Sequence, residues 1–269
     1  MSWISVAVAA VCGVLAALIA ALAAKGFNQN KPLFAGVFGG TIAFFLIVSH
    51  FYVTPSIKAH YEAGMLDRTL SGNAAFAAIK KHDPEAYAHM TAELRAGLLH
   101  GRDKAELIEL VRGEITTLVQ QRLPHASDEA ATEYMRVMVR EMGELRSKGS
   151  DLCYKFLFAQ AGHGLDLSKY VSANTMEADL SALGEVVRTS AVAPQPVPQP
   201  SEVMSRLQPV FAALSGRHGQ DVTLLQHPQA PGVDRDKLCM ISIDMYTLIL
   251  QAPPDESGKL IRFLMGQGG

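Results

Sequence analysis

The sequence predicts an all-α protein in which a two-helix transmembrane hairpin precedes a multi-helix, bundle-like soluble domain with a smaller C-terminal helical unit. Three observations predict it: two long apolar runs at the N-terminus, amphipathic helical periodicity through most of the rest, and one proline-rich interruption. We therefore divide the 269 residues into a hairpin at 1–53, a bundle at 54–190, a linker at 191–200 and a smaller unit at 201–269, packed on the bundle.

The hairpin is predicted from two uncharged runs, residues 3–24 and 33–53. At a rise of about 1.5 Å per residue, each is long enough to cross a hydrocarbon core of about 30 Å. A cleaved signal peptide is the alternative for the first run, because AALAAKG ends in small residues. The tail MSWIS, however, lacks the positive charge that a signal peptide carries. Under either interpretation the second run remains as a membrane anchor in the lipid bilayer.

Aromatic and small residues support the same hairpin. Trp3 begins the first span, and Phe51 and Tyr52 end the second, so all three would lie at one membrane interface, where such rings accumulate. Gly36 and Gly40 form a small-xxx-small step that lets two helices approach closely. We expect this step to pack the second span against the first, although the spacing also arises by chance in a segment rich in Gly and Ala.

The orientation of the hairpin depends on two lysines. Lys25 and Lys31 lie in the loop KGFNQNK, which contains no acid, and short cationic loops favour the cytoplasmic side. The hairpin then returns the chain to the opposite side, so residues 54–269 are expected in the periplasm of a bacterial inner membrane or an equivalent compartment. The bias is small, because residues 54–69 also carry two cations. A cytoplasm-facing domain therefore remains the alternative.

The cysteines give independent support for export. Cys12 lies inside the first span, which leaves Cys153 and Cys239 as the only pair in the soluble part. Lone buried thiols are the ordinary interpretation of two such cysteines. In an oxidising compartment, however, an even count is what a structural disulfide needs, and we predict that Cys153 and Cys239 are bonded. Neither lies in a C-x-x-C motif, so the sequence gives little support for redox catalysis or a zinc site.

The soluble part is predicted to be helical almost throughout. Asp83 is a predicted N-cap, followed by Pro84 at the first helical position, and that helix ends at Gly101. Ser127 is the predicted cap of a helix with a long apolar stripe. Helices are predicted within 82–101, 103–123 and 127–149, and further ones at 56–69, 73–81, 151–160, 173–190, 202–216, 234–251 and 254–265. MISIDMYTLIL alternates like a strand, but its length favours a buried helix.

The segment AVAPQPVPQP, residues 191–200, contains four prolines and is predicted to be an extended, semi-rigid linker. A docking site for a proline-recognition domain is the alternative. A spacer is favoured, because no aromatic or basic residue flanks the segment. A Cys153–Cys239 disulfide would make the linker a strap between two joined units.

Charge and motifs exclude several classes of function. Removing Lys25 and Lys31 from the 24 basic residues leaves 22 against 26 acidic ones, a formal charge of −4 for residues 54–269, which disfavours nucleic-acid binding. None of the nine histidines pairs at the i, i+4 spacing of a helical zinc site. His163 and His218 each share a glycine-flanked loop with an Asp, but a surface histidine at a helix-ending glycine is the favoured interpretation. We expect no metal, cofactor or catalytic residue, since the sequence has no nucleophile, Walker or dinucleotide motif.

The function predicted from these observations is that of a membrane-anchored, periplasm-facing helical binding module. It would act through a protein partner, as an adaptor, assembly factor or toxin-neutralising factor. Two alternatives remain open. One is a cytoplasm-facing scaffold or signalling module, and the other is a membrane-tethered hydrolase with its site between helices.

Overall fold

The computed structural model describes residues 54–158 and 165–267, and the regular structure within these ranges is entirely helical. The all-α class and the bundle-like arrangement are therefore confirmed. Within the same ranges, no helix is both long and apolar enough to cross a bilayer. The two predicted spans lie outside the described residues, together with Trp3, Lys25, Lys31, Gly36, Gly40, Phe51 and Tyr52.

The helices are numbered here in chain order. They are α1 Thr54–Ser71, α2 Ala74–His82, α3 Pro84–Leu99, α4 Lys104–Arg122, α5 Asp128–Lys148, α6 Ser150–Leu157, α7 Ala173–Val192, α8 Pro200–His218, α9 Arg235–Ile249 and α10 Pro254–Gly266. Short 3₁₀ turns cover Leu123–His125, Leu167–Lys169 and Gly219–Leu225. The segment MISIDMYTLIL is mainly helical, in α9, as its length predicted.

The predicted helix ends are confirmed by their hydrogen bonds. The Asp83 carboxylate accepts a bond from the backbone N–H of Ala86 at 3.1 Å, and the Ser127 hydroxyl accepts one from Ala130 at 3.2 Å. Each side chain thus satisfies a donor that the first helical turn leaves free. Beyond the end of α3, Gly101 has a φ of 73°, a left-handed conformation that glycine adopts without steric cost.

The described residues divide into two compact units. The first contains 54–66 and 95–102, and in it the His100 Nδ1 atom lies 2.7 Å from the backbone oxygen of Ala96. The second contains 67–94 and 103–267, so residues on both sides of the predicted linker belong to the same compact unit. The predicted division of the soluble part at 191–200 stays a prediction.

Helix α5 is the centre of the second unit, where it packs against α6, α7, α9 and α10. Its first turns approach α10 closely, because Gly258 has no side chain: a Cβ atom there would come within 2.3 Å of the backbone oxygen of Asp128. The Thr132 hydroxyl donates to the Pro254 carbonyl at 3.1 Å and lies 3.0 Å from the Ser257 hydroxyl. These contacts fill the interface between α5 and α10 and pair its buried hydroxyl groups.

The proline-rich segment is hydrogen-bonded to the rest of the second unit near its centre. Helix α7 continues to Val192 and α8 begins at Pro200, so the non-helical part is shorter than predicted, at 193–199. The backbone N–H of Gln195 donates to the His125 carbonyl at 2.9 Å, and the His125 Nδ1 atom lies 3.0 Å from the Gln195 carbonyl. The segment therefore lies against the 3₁₀ turn that precedes α5.

Arg262 on α10 holds the same region together from inside. The residue is 3% exposed. The guanidinium donates to the Pro124 carbonyl at 3.1 Å, to the Asp128 carboxylate at 2.7 Å and to the Pro196 carbonyl. One buried cation thus joins α10, the start of α5 and the proline-rich segment, and each of its partners is an oxygen acceptor.

Candidate functional site

The second unit contains a cavity of about 290 Å³ between helices of the bundle. Helices α4, α5, α6, α7, α9 and α10 all supply residues to its wall. The wall is largely apolar and rich in methionine, which contributes Met135, Met138, Met142 and Met265. Gln120 at its edge is exposed, so the cavity communicates with solvent. Unbranched thioether side chains adapt to differently shaped apolar ligands, which makes this cavity the candidate site.

The periodicity of α5 brings an acid into this apolar wall. Tyr134, Met138 and Glu141 follow one another at spacings of four and three, so they lie on one face of the helix. All three line the cavity. The apolar stripe of this helix was evident in the sequence, but Glu141 was not selected from it. The sequence feature that could have identified Glu141 is an acidic residue within the apolar stripe of the helix. Acidic residues are uncommon on a buried helix face.

Glu141 is buried without full hydrogen bonding. The residue is 2% exposed, and its Oε1 atom has no hydrogen-bond partner. Burial raises the pKa of this carboxyl to about 8, and the negative charges of Asp179 and Glu144 raise it further in the same direction. At neutral pH the side chain is therefore mainly protonated. A buried, unpaired carboxyl oxygen costs stability, so its presence in a cavity suggests a role other than folding.

Asp179 on α7 is the second acid of the cavity. It is half-buried, and burial raises its pKa to about 6. Its charge also contributes, after burial, to the raised pKa values of Glu141 and Tyr134. The two carboxyls thus influence each other. As the pH rises through the neutral range, Asp179 loses its proton before Glu141 does.

Glu144, one turn beyond Glu141 on α5, is well hydrogen-bonded and has a lowered pKa. Its carboxylate accepts bonds from the Thr175 hydroxyl at 2.7 Å and from the backbone N–H of Ser172 at 2.6 Å. These hydrogen bonds, that of Thr175 first, lower the pKa of Glu144. Glu144 caps the start of α7 and remains ionised, so it adds a fixed negative charge near Glu141.

Arg112 on α4 lines the cavity but is held at its wall. Its Nη2 atom donates to the backbone carbonyls of Lys155 at 2.7 Å and of Phe156 at 3.0 Å. These carbonyls belong to the last turn of α6, the negative end of that helix. Burial lowers the pKa of Arg112, and the charge of Glu109 opposes this shift. At least one nitrogen of the guanidinium is therefore hydrogen-bonded to the C-terminal end of α6.

The predicted cysteine pair lies beside the cavity. Cys153 on α6 and Cys239 on α9 have Cα atoms 6.0 Å apart and sulfur atoms at bonding distance, so the predicted pairing is confirmed as a disulfide geometry. Both residues are fully buried in a cluster with Met142, Leu145 and Val171. Because α6 and α9 also supply Phe156 and Tyr246 to the cavity, the cross-link joins two of its walls.

Of the two glycine-flanked histidine loops, the structure describes the one around His218. Gly219 follows the end of α8 with a φ of 57°, so the helix-ending glycine is confirmed. The interpretation of His218 as a surface residue is wrong, because its side chain is 9% exposed and its Nε2 atom lies 2.8 Å from the Asp244 carboxylate. His163 lies outside the described residues. In the described ranges, no group of three or more His, Cys, Asp or Glu side chains is arranged to hold a metal ion.

Comparisons with family models, with curated proteins and with solved structures gave no match to this chain. The site must therefore be interpreted from its own geometry and chemistry.

Proposed function

We propose that this chain is a membrane-anchored binding module whose helical domain lies in the periplasm or an equivalent oxidising compartment and acts through a protein partner. The disulfide geometry of Cys153 and Cys239 carries the proposal. Disulfides persist in exported domains and are rare in the reducing cytoplasm, so the pair supports export. The membrane anchor rests on the sequence, through the apolar runs 3–24 and 33–53 and the loop lysines Lys25 and Lys31.

Two exposed apolar side chains on one side of α8 support the protein partner. Met204 is 47% exposed and Phe211 is 39% exposed. They are seven residues apart, so they lie on the same side of the helix after two turns. Aromatic and methionine side chains are enriched at protein interfaces. The partner would be an apolar surface that covers both side chains, as for an adaptor or an assembly factor.

Topology is tested with two reporters fused after residue 269 of the full chain. A phosphatase that folds only after export should be active, whereas a fluorescent protein that folds only in the cytoplasm should be dark. Replacing Lys25 and Lys31 with Glu and adding two lysines within residues 2–5 should raise the fraction of inverted molecules. An active cytoplasmic reporter on the unaltered chain would reject the exported orientation.

The partner is tested with a photo-cross-linking amino acid placed at Met204 or at Phe211 in the full chain, in its native membrane. The same adduct should form from both positions. Ser205 and Ala212 are matched controls, because they are exposed on α8 and are also seven residues apart. Equal adducts from Ser205 and Ala212, or different adducts from Met204 and Phe211, would exclude this face as the partner surface.

A further inference from the structure

The cavity beside Glu141 has an unusual combination of shape and charge. Its wall is apolar, with four methionines and the rings of Phe156, Tyr134 and Tyr246. Its two acids, Glu141 and Asp179, come from different helices, α5 and α7. An apolar wall disfavours a strongly hydrated ion. Two acids disfavour an anion, and the guanidinium of Arg112 in the same wall is bonded to the end of α6. These two conditions together select ligands that combine an apolar body with a positive charge.

The charges around Glu141 indicate what is missing from the site. The groups that act on this carboxyl, besides burial, are the negative charges of Asp179 and Glu144. Its Oε1 atom has no donor, although the residue is 2% exposed. A buried acid is normally stabilised by a cation or by donated hydrogen bonds. A ligand that carries an N–H donor with positive charge would supply both at once.

We infer that this cavity binds an apolar organic cation, a primary amine with a small ring or alkyl body, whose ammonium group pairs with the carboxylates of Glu141 and Asp179. The body of the ligand packs against the methionines and aromatic rings of the wall, where the ring faces also favour positive charge. A volume of about 290 Å³ suits a ligand with one ring and a short chain. The site is distinct from the α8 face proposed for the protein partner and does not depend on it.

The titratable groups of the wall determine how binding depends on pH. They are Arg112 on α4, Tyr134 and Glu141 on α5, Asp179 on α7 and Tyr246 on α9, with Glu144 nearby on α5. Burial raises the pKa of both tyrosines, so they remain neutral. The carboxyls of Asp179 and Glu141, with pKa values of about 6 and about 8, are the groups that change charge in the neutral range. An ammonium stabilises their ionised forms, so its binding releases protons and strengthens as the pH rises from 6 to 8.

The test uses the full chain in lipid nanodiscs and three small probes that differ in charge: benzylamine, benzyl alcohol and benzoate. Isothermal titration should give one benzylamine site, with an affinity at least about tenfold above that of benzyl alcohol, and no benzoate binding. Titrations at pH 7 in phosphate and in Tris should differ in heat, because protons are released to the buffer. Tight binding of benzyl alcohol, equal to that of benzylamine, would show an apolar cavity without a cation site and overturn the inference. A complete lack of benzylamine binding would overturn it as well.

Variants locate the binding in this cavity. Glu141→Gln keeps the size of the side chain but removes its charge, and it should weaken benzylamine at least about tenfold while leaving benzyl alcohol unchanged. Glu133→Gln is the matched control, because Glu133 is an exposed acid on the same helix. Asp179→Asn gives a second, independent test should the first variant not fold. Unchanged benzylamine affinity in the folded variants would contradict the site, whatever the wild-type affinity.

Discussion

The two halves of helix α5 bury charge in different ways. At its beginning, Asp128 meets Arg262, and the guanidinium has three oxygen acceptors. More than three turns further on, Glu141 is as deeply buried as Arg262, but one of its oxygens has no partner and it faces a cavity. The part of α5 around Asp128, here called the closed half, is fully paired. The part from Tyr134 to Met142, here called the open half, lines the cavity and contains an incompletely paired acid. Pairing, rather than burial, therefore separates an ionisable side chain that stabilises the fold from one that is available to a ligand.

The disulfide lies on the side of the open half. Cys153 and Cys239 pack in one cluster with Met142 and Leu145, which belong to the second half of α5. A cavity removes contacts that would otherwise stabilise the surrounding helices. A cross-link between α6 and α9 holds two of the cavity walls together where packing contributes less.

The largest expected effect comes from removing this cross-link. The paired cysteines are 86 positions apart in sequence, and the chain-entropy model gives a stabilisation of up to about 4.5 kcal/mol for a loop of that length. We expect the double variant Cys153→Ala, Cys239→Ala to unfold at a clearly lower temperature, with helix content near that of the wild type. Thermal unfolding of the full chain in detergent, followed by circular dichroism, measures both.

A reductant is the control for that comparison. It should lower the unfolding temperature of the wild type and leave the double variant unchanged. Equal unfolding temperatures of wild type and variant, with and without reductant, would mean that the cross-link does not support the open half.

Arg262→Met is expected to have the next largest effect, and it acts on the closed half. The substitution keeps much of the apolar stem but leaves the Asp128 carboxylate and two carbonyls without their donor. Breaking a buried pair in this way costs about 4 kcal/mol. Chemical denaturation should show this loss in the free energy of unfolding.

Arg206→Met is its matched control. Arg206 on α8 pairs with Glu256, but its side chain is 59% exposed, so the loss should be less than about 1 kcal/mol. Similar losses for Arg262→Met and Arg206→Met would mean that the buried pair stabilises the fold no more than the exposed pair does.

Glu141→Gln should increase the free energy of unfolding, and only at higher pH. The folded state raises the pKa of Glu141 from 4.5 to about 8, so it holds the proton more tightly than the unfolded chain does. The contribution of Glu141 to stability is therefore fully present below pH 4.5 and is lost as the pH rises through about 8. Relative to the wild type, the variant should gain on the order of 3 kcal/mol between pH 5 and pH 8.

Denaturant titrations at several pH values measure this gain. Glu133→Gln, on the exposed side of the same helix, should give a difference from the wild type that hardly varies with pH. A constant difference for Glu141→Gln as well would mean that Glu141 is paired in solution, and that the two halves of α5 do not differ as described.

Gly258→Ala is expected to have the smallest effect, and it tests how tightly the closed half is packed. A Cβ atom would meet the backbone of Asp128 at 2.3 to 2.4 Å, so α10 has to shift away from α5. Such overpacking costs about 2 kcal/mol. Gly216→Ala on α8 is the control, because nothing lies within 4 Å of its added Cβ atom and alanine favours the helix. A stabilising Gly258→Ala would contradict the close contact.

Much of the fold could be predicted because its signals are local. Asp83 and Ser127 cap helices through bonds to residues three positions later. Gly101 ends a helix because its own φ is positive. The prolines between α7 and α8 keep that segment non-helical. These interactions are formed within one helical turn, so the sequence near each position contains all the information that is needed.

The cysteine pair was predicted by a different route, from the even number of cysteines in the soluble part. That count identifies candidate partners but contains no distance. Only the packing of α6 against α9 brings Cys153 and Cys239 to a Cα separation of 6.0 Å. The packing of α8 against α9 brings His218 against Asp244, which the loop sequence did not indicate.

The sequence by itself determined the helices, their caps and the identity of the cysteine pair. The tertiary structure alone decided which polar groups are paired. Arg262 reaches acceptors that lie 138, 134 and 66 positions earlier in the chain. Glu141 on α5 interacts electrostatically with Asp179 on α7. The physical reason is that a helix fixes neighbours three and four positions away, whereas the partner of a buried charge depends on which faces of separate helices pack together.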